Sequence, residues 1–151
     1  MRGRAKRQEP MFVAIEFNTL VDKFLPQEHP LRVIKQVADT LLAEMSDTFD
    51  RFYAETGRES VPPECVLKAL VYQALYSVRS ERQLEETLTF DFRCRWFVGL
   101  PLDQAAWDHS TFSKLRERML LDELVVVFFE RLVAFLRSDR PPRLGGCGVP
   151  L

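Results

Sequence analysis

Histidine is scarce in this chain, paired cysteine is missing, and neither sign of charge is in excess. Only His29 and His109 occur among 151 residues. That leaves no closely spaced set of His and Cys for a structural zinc site. Cys65, Cys94 and Cys147 stand far apart and form no CxxC pair. An odd, dispersed set is no disulfide framework, so the thiols are expected to be reduced and structural. P-loop, GxGxxG, GxSxG and HExxH patterns are also missing, which removes the commonest nucleotide, hydrolase and metalloprotease signatures. No apolar run approaches the roughly 18 residues of a membrane span. The longest, "LVVVFF", covers only Leu124 to Phe129. The basic start "MRGRAKRQEP" has no apolar signal-peptide core behind it. A soluble cytoplasmic protein without a membrane partner is expected.

The net charge is −1, unlike the strongly basic balance of many nucleic-acid binders. Where charges sit matters more than their sum. Arg2, Arg4, Lys6 and Arg7 open the chain without an acid among them.

What is present is apolar residue in helical order. Hydrophobic residues make up 46% and aromatic residues 11% of the chain, enough for one domain with a core. Leu31, Ile34, Ala38, Leu41, Leu42 and Met45 fall on one helical face. Phe49, Phe52 and Tyr53 continue as a shorter piece, ended by Gly57. "VPPE" opens a long helix, with prolines in its first turn and Glu64 at the positive end of its dipole. Val66, Leu67, Leu70, Val71, Ala74, Leu75 and Val78 form its apolar stripe. Ser80 with Gln83 reads as a capping box that starts another helix. Leu84 and Leu88 face inward there, and Glu85 and Glu86 outward. Asp108 caps a further helix with Phe112, Leu115 and Met119 buried. A last helix over about Leu121 to Leu136 turns Leu124, Val127, Phe128, Leu132, Phe135 and Leu136 inward.

The expected fold is all-α: a compact domain of five or six helices with a helix-turn-helix-like unit. Residues 1–29 read as an irregular arm in which "FVAIEF" alternates weakly. Residues 30–136 form the helical domain. Residues 137–151, "RSDRPPRLGGCGVPL" from Arg137, lack periodicity and read as a disordered tail.

No catalytic constellation emerges. "DHS" at Asp108 to Ser110 has a triad's composition only, because adjacent residues at a helix start do not converge on one atom. Capping accounts for Asp108, and His109 reads as structural. The remaining signal is the short break between helices at Tyr72 to Thr89, the geometry of a helix-turn-helix. Arg79 and Arg82 flank the second helix's N-terminus, where backbone amides and cations suit phosphate. Arg93, Arg95, Lys114, Arg116 and Arg118 are candidates to extend that patch. Against it, these seven cations share their stretch with seven acids, Glu81, Glu85, Glu86, Asp91, Asp103, Asp108 and Glu117. Trp96, Phe97 and Trp107 read first as core residues, with base stacking as the alternative. On the residues alone, DNA binding and a helical dimerisation module both stand.

Five ordered motifs carry a resemblance. They are "HPLR" at His29 to Arg32, "GRESVPPE" at Gly57 to Glu64, "LYSVRSERQLEE" at Leu75 to Glu86, "RWFVGL" at Arg95 to Leu100 and "WDHSTFSKLRERML" at Trp107 to Leu120. Over about residues 1–136 the chain resembles the N-terminal domain of bacterial insertion-sequence transposases of the DDE class, InsH-like type. The resemblance implies binding to duplex DNA at the terminal inverted repeats of a mobile element. It also implies an RNase H-like catalytic domain beyond, where three acids hold two divalent metals, usually magnesium. That domain's first aspartate lies in a "DGT" motif, which does not occur here; the sequence reads "GVPL" instead. Leu115 stands where family members often carry asparagine. A truncated transposase fragment is therefore expected, with no catalysis and no cofactor of its own. Homodimerisation, association with an intact transposase as its inhibitor, and a nonfunctional remnant are the alternatives.

Overall fold

The computed structural model describes residues 17–56 and 61–138. Every regular element among them is a helix, as the apolar spacing predicts. There are eight in the described residues: α1 (Phe17–Phe24), α2 (Pro30–Glu44), α3 (Ser46–Thr56), α4 (Pro63–Leu75), α5 (Glu81–Phe90), α6 (Phe92–Val98), α7 (His109–Leu121) and α8 (Leu124–Arg137).

The count exceeds the expected five or six for two local reasons. Phe17, Leu20, Val21 and Phe24 recur at i, i+3, i+4 and i+7, so the second half of the supposed arm is helical. Val21 is buried, and α1 rests on α6. Asp91 then divides one expected helix into α5 and α6. Its amide closes α5 on the carbonyl of Thr87, while its carboxylate caps α6. The "FVAIEF" stretch up to Glu16, the "GRES" of residues 57–60 and the tail beyond residue 138 lie outside the described residues.

The caps explain where the helices begin. His29 Nδ1 accepts the amide of Leu31 ahead of Pro30, which fits a first helical position. Ser80 accepts the amide of Gln83, and Gln83 Oε1 reaches back to the amide of Arg79. This is the capping box, displaced by one residue on its return bond. Asp108 accepts the amide of Ser110 at the head of α7. Gly99 ends α6 at φ 90°, a left-handed conformation that a side chain resists.

α4 is the central helix and packs against α2, α6 and α7, while α8 lies across α2 and α7. Val66, Leu67, Phe97, Phe128 and Met119 meet in the core and are all fully buried. Each large apolar side chain so buried contributes about 1.5–3 kcal/mol. Three expectations at the helix ends fail. Ala74, Leu75 and Leu136 are exposed, since α4 stops at Leu75 and α8 turns Leu136 outward near its end.

Trp96 is half-buried, and the charged groups of Arg32 and Lys35 lie 5.6 and 5.3 Å from its ring. Asp39 holds two lysines, Lys35 at 2.6 Å and the buried Lys68 at 2.9 Å. This network ties α2 to α4. No described helix is long and apolar enough to cross a membrane.

Candidate nucleic-acid interface

The connection from α4 to α5 is tight. Tyr76 ends α4, Ser77 adopts φ 52°, and Ser80 caps α5. Arg79 and Arg82 flank this break. Both are exposed, and neither guanidinium has an ion-pair or hydrogen-bond partner among the described residues.

The acid between them faces the other way. Glu81 lies against α7, where it accepts a hydrogen bond from Ser113 Oγ. Arg116 Nη1 stands 2.6 Å from Glu81 Oε1. That is ion-pair distance, though out of line for a hydrogen bond, and Arg116 Nε stays buried without a partner. One turn on, Glu85 Oε2 accepts both the amide of His109, at 3.2 Å, and its ring Nδ1, at 2.9 Å. Glu81 meets Ser113 and Glu85 meets His109, so α5 and α7 run antiparallel. Their contact carries a polar seam beside Leu84, Leu88 and Phe112. Glu85 therefore does not simply face solvent, contrary to its sequence reading.

The seven candidate cations divide by environment. Arg79 and Arg82 project freely at the start of α5. Lys114 is exposed on α7, and Arg118 lies one turn further on the same face. These two line an open groove of about 410 Å³ with Thr111, Glu117 and Leu121. Arg116 is drawn inward to Glu81. Arg93 stacks 4.3 Å over Tyr76, donates to Tyr72 Oη at 3.2 Å and pairs with Asp91 at 3.4 Å.

Arg95 departs most from the sequence reading. It is 6% exposed, and its guanidinium donates to the carbonyls of Leu88, Pro101 and Gln104. The sequence reading made it a candidate to extend the cationic patch. The short helix α6 instead turns Arg95 inward, beside Cys94 and Phe97.

Burial pushes the Cys94 thiol up to about 12 and the Cys65 thiol up to about 11. Both are free. Burial, with Asp91 adding to it, also raises the Tyr72 hydroxyl well above its ordinary range. At the exposed head of α7, the hydrogen bond from Ser110 lowers the Asp108 carboxyl.

Glu81 is engaged by Arg116 and Ser113, and Asp91 by Tyr72 and Arg93.

The model of one protein family, the transposase domain DUF772, matches residues 19–118. The chain belongs to this family. The match starts within α1 and ends within α7, so it takes in the α4–α5 break and the α5–α7 seam. No curated protein and no solved structure matches the chain.

Proposed function

We propose that this transposase domain binds duplex DNA, with the terminal inverted repeats of a mobile element as its target. The observation that carries the reading is the pair Arg79 and Arg82. They are exposed and free at the start of α5, within the matched transposase domain. A helix N-terminus with two unneutralised cations attracts phosphate through both its dipole and its side chains. Lys114 on α7 gives a further exposed cation. Arg95, Arg93 and Arg116 serve the fold instead, because each is held by carbonyls, aromatic rings or a carboxylate.

In this reading the chain positions DNA ends and performs no bond-breaking step. The test is equilibrium binding to a duplex carrying the inverted repeat and to a scrambled duplex, over a salt series. Tighter binding to the repeat, falling steeply with salt, is expected from counterion release. Equal, salt-independent retention of both duplexes refutes the proposal. With magnesium added, the DNA is expected to stay intact. Nicking that co-purifies with the chain refutes the assignment of catalysis elsewhere.

A second reading, self-association, draws on α8. Val126 and Val133 are 47% and 42% exposed, and Leu136 is exposed beside half-buried Phe129. The spacing of Val126, Phe129, Val133 and Leu136 is that of a two-heptad seam, which suits a second copy of the same helix. Sedimentation over a concentration series tests it. A dimer that Val133→Asp dissociates supports it, and a strict monomer overturns it.

A further inference from the structure

Glu85 on α5 and the pair Asp108–His109 at the head of α7 bring three unlike donors together. A carboxylate oxygen from each acid and a ring nitrogen of His109 all lie within 4.8 Å of one another. The side chains of Glu85, Asp108 and His109 are 35%, 57% and 34% exposed. They are fixed on one side and open to solvent on the other.

Three observations set this group apart from an ordinary cap and ion pair. The first is charge. Asp22 pairs with Arg32, Asp39 with Lys35 and Lys68, Glu81 with Arg116, and Asp91 with Arg93. Glu85 and Asp108 instead share a single imidazole and pair with no arginine or lysine among the described residues. The second is the cap itself. Asp108 uses only Oδ2 to receive Ser110, and Oδ1 is the oxygen that approaches the His109 ring. The third is spacing. Ligand atoms on bonds of about 2.0–2.1 Å stand about 3.0 Å apart in an octahedral site and about 3.3 Å apart in a tetrahedral one. Glu85 Oε2 lies 2.9 Å from His109 Nδ1, and Asp108 Oδ1 lies 3.5 Å from it. Each carboxylate oxygen therefore stands from the imidazole nitrogen near the separation of two ligands on one ion, and all three donors lie within 4.8 Å.

We infer that Glu85, Asp108 and His109 form a binding site for a divalent transition-metal ion that bridges α5 and α7. An imidazole ligand beside two carboxylates suits zinc, cobalt, nickel or manganese better than magnesium or calcium. Nδ1 binds the metal in its unprotonated form. A neutral His109 shifts its proton to Nε2 through solvent with no net release, and an imidazolium releases one proton. Solvent completes the coordination on the open side. No spacing in the sequence marks the site, because one ligand lies more than twenty residues before the other two. The bound ion clamps the head of α7 onto α5. The inference is independent of the DNA-binding reading, and its test contains no DNA.

The full chain, freed of metal with a chelator, is titrated with cobalt(II) alone and followed by visible absorption. Manganese(II) is then added in small amounts, and the broadening of amide NMR signals is mapped. The site gives a saturable one-to-one cobalt spectrum without thiolate charge-transfer intensity, and broadening centred on residues 85, 108 and 109. Glu85→Gln and His109→Gln weaken cobalt binding at least about tenfold, with circular dichroism showing each variant folded. The inference is overturned by no saturable spectrum, by a thiolate band, by broadening centred elsewhere, or by both folded variants binding within twofold of the parent. If a variant does not fold, the broadening map of the unaltered chain decides.

Discussion

Arg95 donates from the inside of α6 to the carbonyl of Leu88 at 2.9 Å, binding the end of α5 to the loop after α6. The same guanidinium also holds the carbonyls of Pro101 and Gln104. This loop has no regular structure to satisfy its backbone, so the arginine supplies the donors. Lysine carries three donors on one atom and cannot span three separated carbonyls. Arg95→Lys is therefore expected to destabilise the domain by about 1–3 kcal/mol, chiefly through the buried Leu88 carbonyl left without a partner. Urea unfolding measures the loss. A change under about 0.5 kcal/mol means that the brace contributes nothing.

Arg79 and Arg82 predict the opposite behaviour. They touch no described partner, so replacing both with alanine should leave stability within about 0.5 kcal/mol. If each contacts one phosphate of the duplex, the slope of log K against log salt should flatten by about 1.8. Lys114→Ala should flatten it by about 0.9 if α7 lies against the same duplex. An unchanged slope in the double variant removes α5 from the interface while leaving the transposase family assignment intact.

The cores of α2, α4, α7 and α8 were legible because each repeats apolar residues at helical spacing. Ser80, Gln83 and Asp108 were legible because capping is local, a matter of three or four residues. The polar seam was not. Glu81 and Glu85 have the i, i+4 spacing of an exposed acidic face, and only the antiparallel approach of α7 makes them partners of Ser113, Arg116 and His109. Arg95 was misplaced for a related reason. Whether an arginine points to solvent or to a cluster of carbonyls depends on the loop from Leu100 to Gln104, which has no periodicity. The placement of Arg79 and Arg82 beside the N-terminus of α5 was legible because the capping box fixes where that helix begins.

Asp91 joins two helices and so concentrates local stability. Its Oδ1 accepts the amides of Arg93 and Cys94 at 2.9 and 3.4 Å, and its Oδ2 receives Tyr72 Oη at 3.2 Å. Asp91→Ala removes the cap and leaves the Tyr72 hydroxyl without that acceptor. A loss of about 1–2 kcal/mol is expected, the upper part of the range for N-caps. Asp91→Asn keeps a capping oxygen and should lose less than half as much. Equal losses in the two variants would show that the charge, through Arg93, matters more than the cap.

Cys94 gives a prediction in pH. Its thiol is fully buried in α6, and burial raises its pKa from 9.0 to about 12. The folded state favours the neutral thiol, so its contribution is fully present below pH 9 and is lost as pH rises from 9 towards 12. The unfolded chain ionises first in that window and is stabilised by it. Stability measured by urea should fall on the alkaline side, and Cys94→Ala should flatten part of that fall despite its own cost in packing. The thiol should also resist alkylation near pH 8 until the domain unfolds, because the reactive species is the thiolate. Peptide-resolved labelling with iodoacetamide checks this directly. Rapid modification of Cys94 in the folded protein would mean that α6 opens locally, at a free energy well below that of global unfolding.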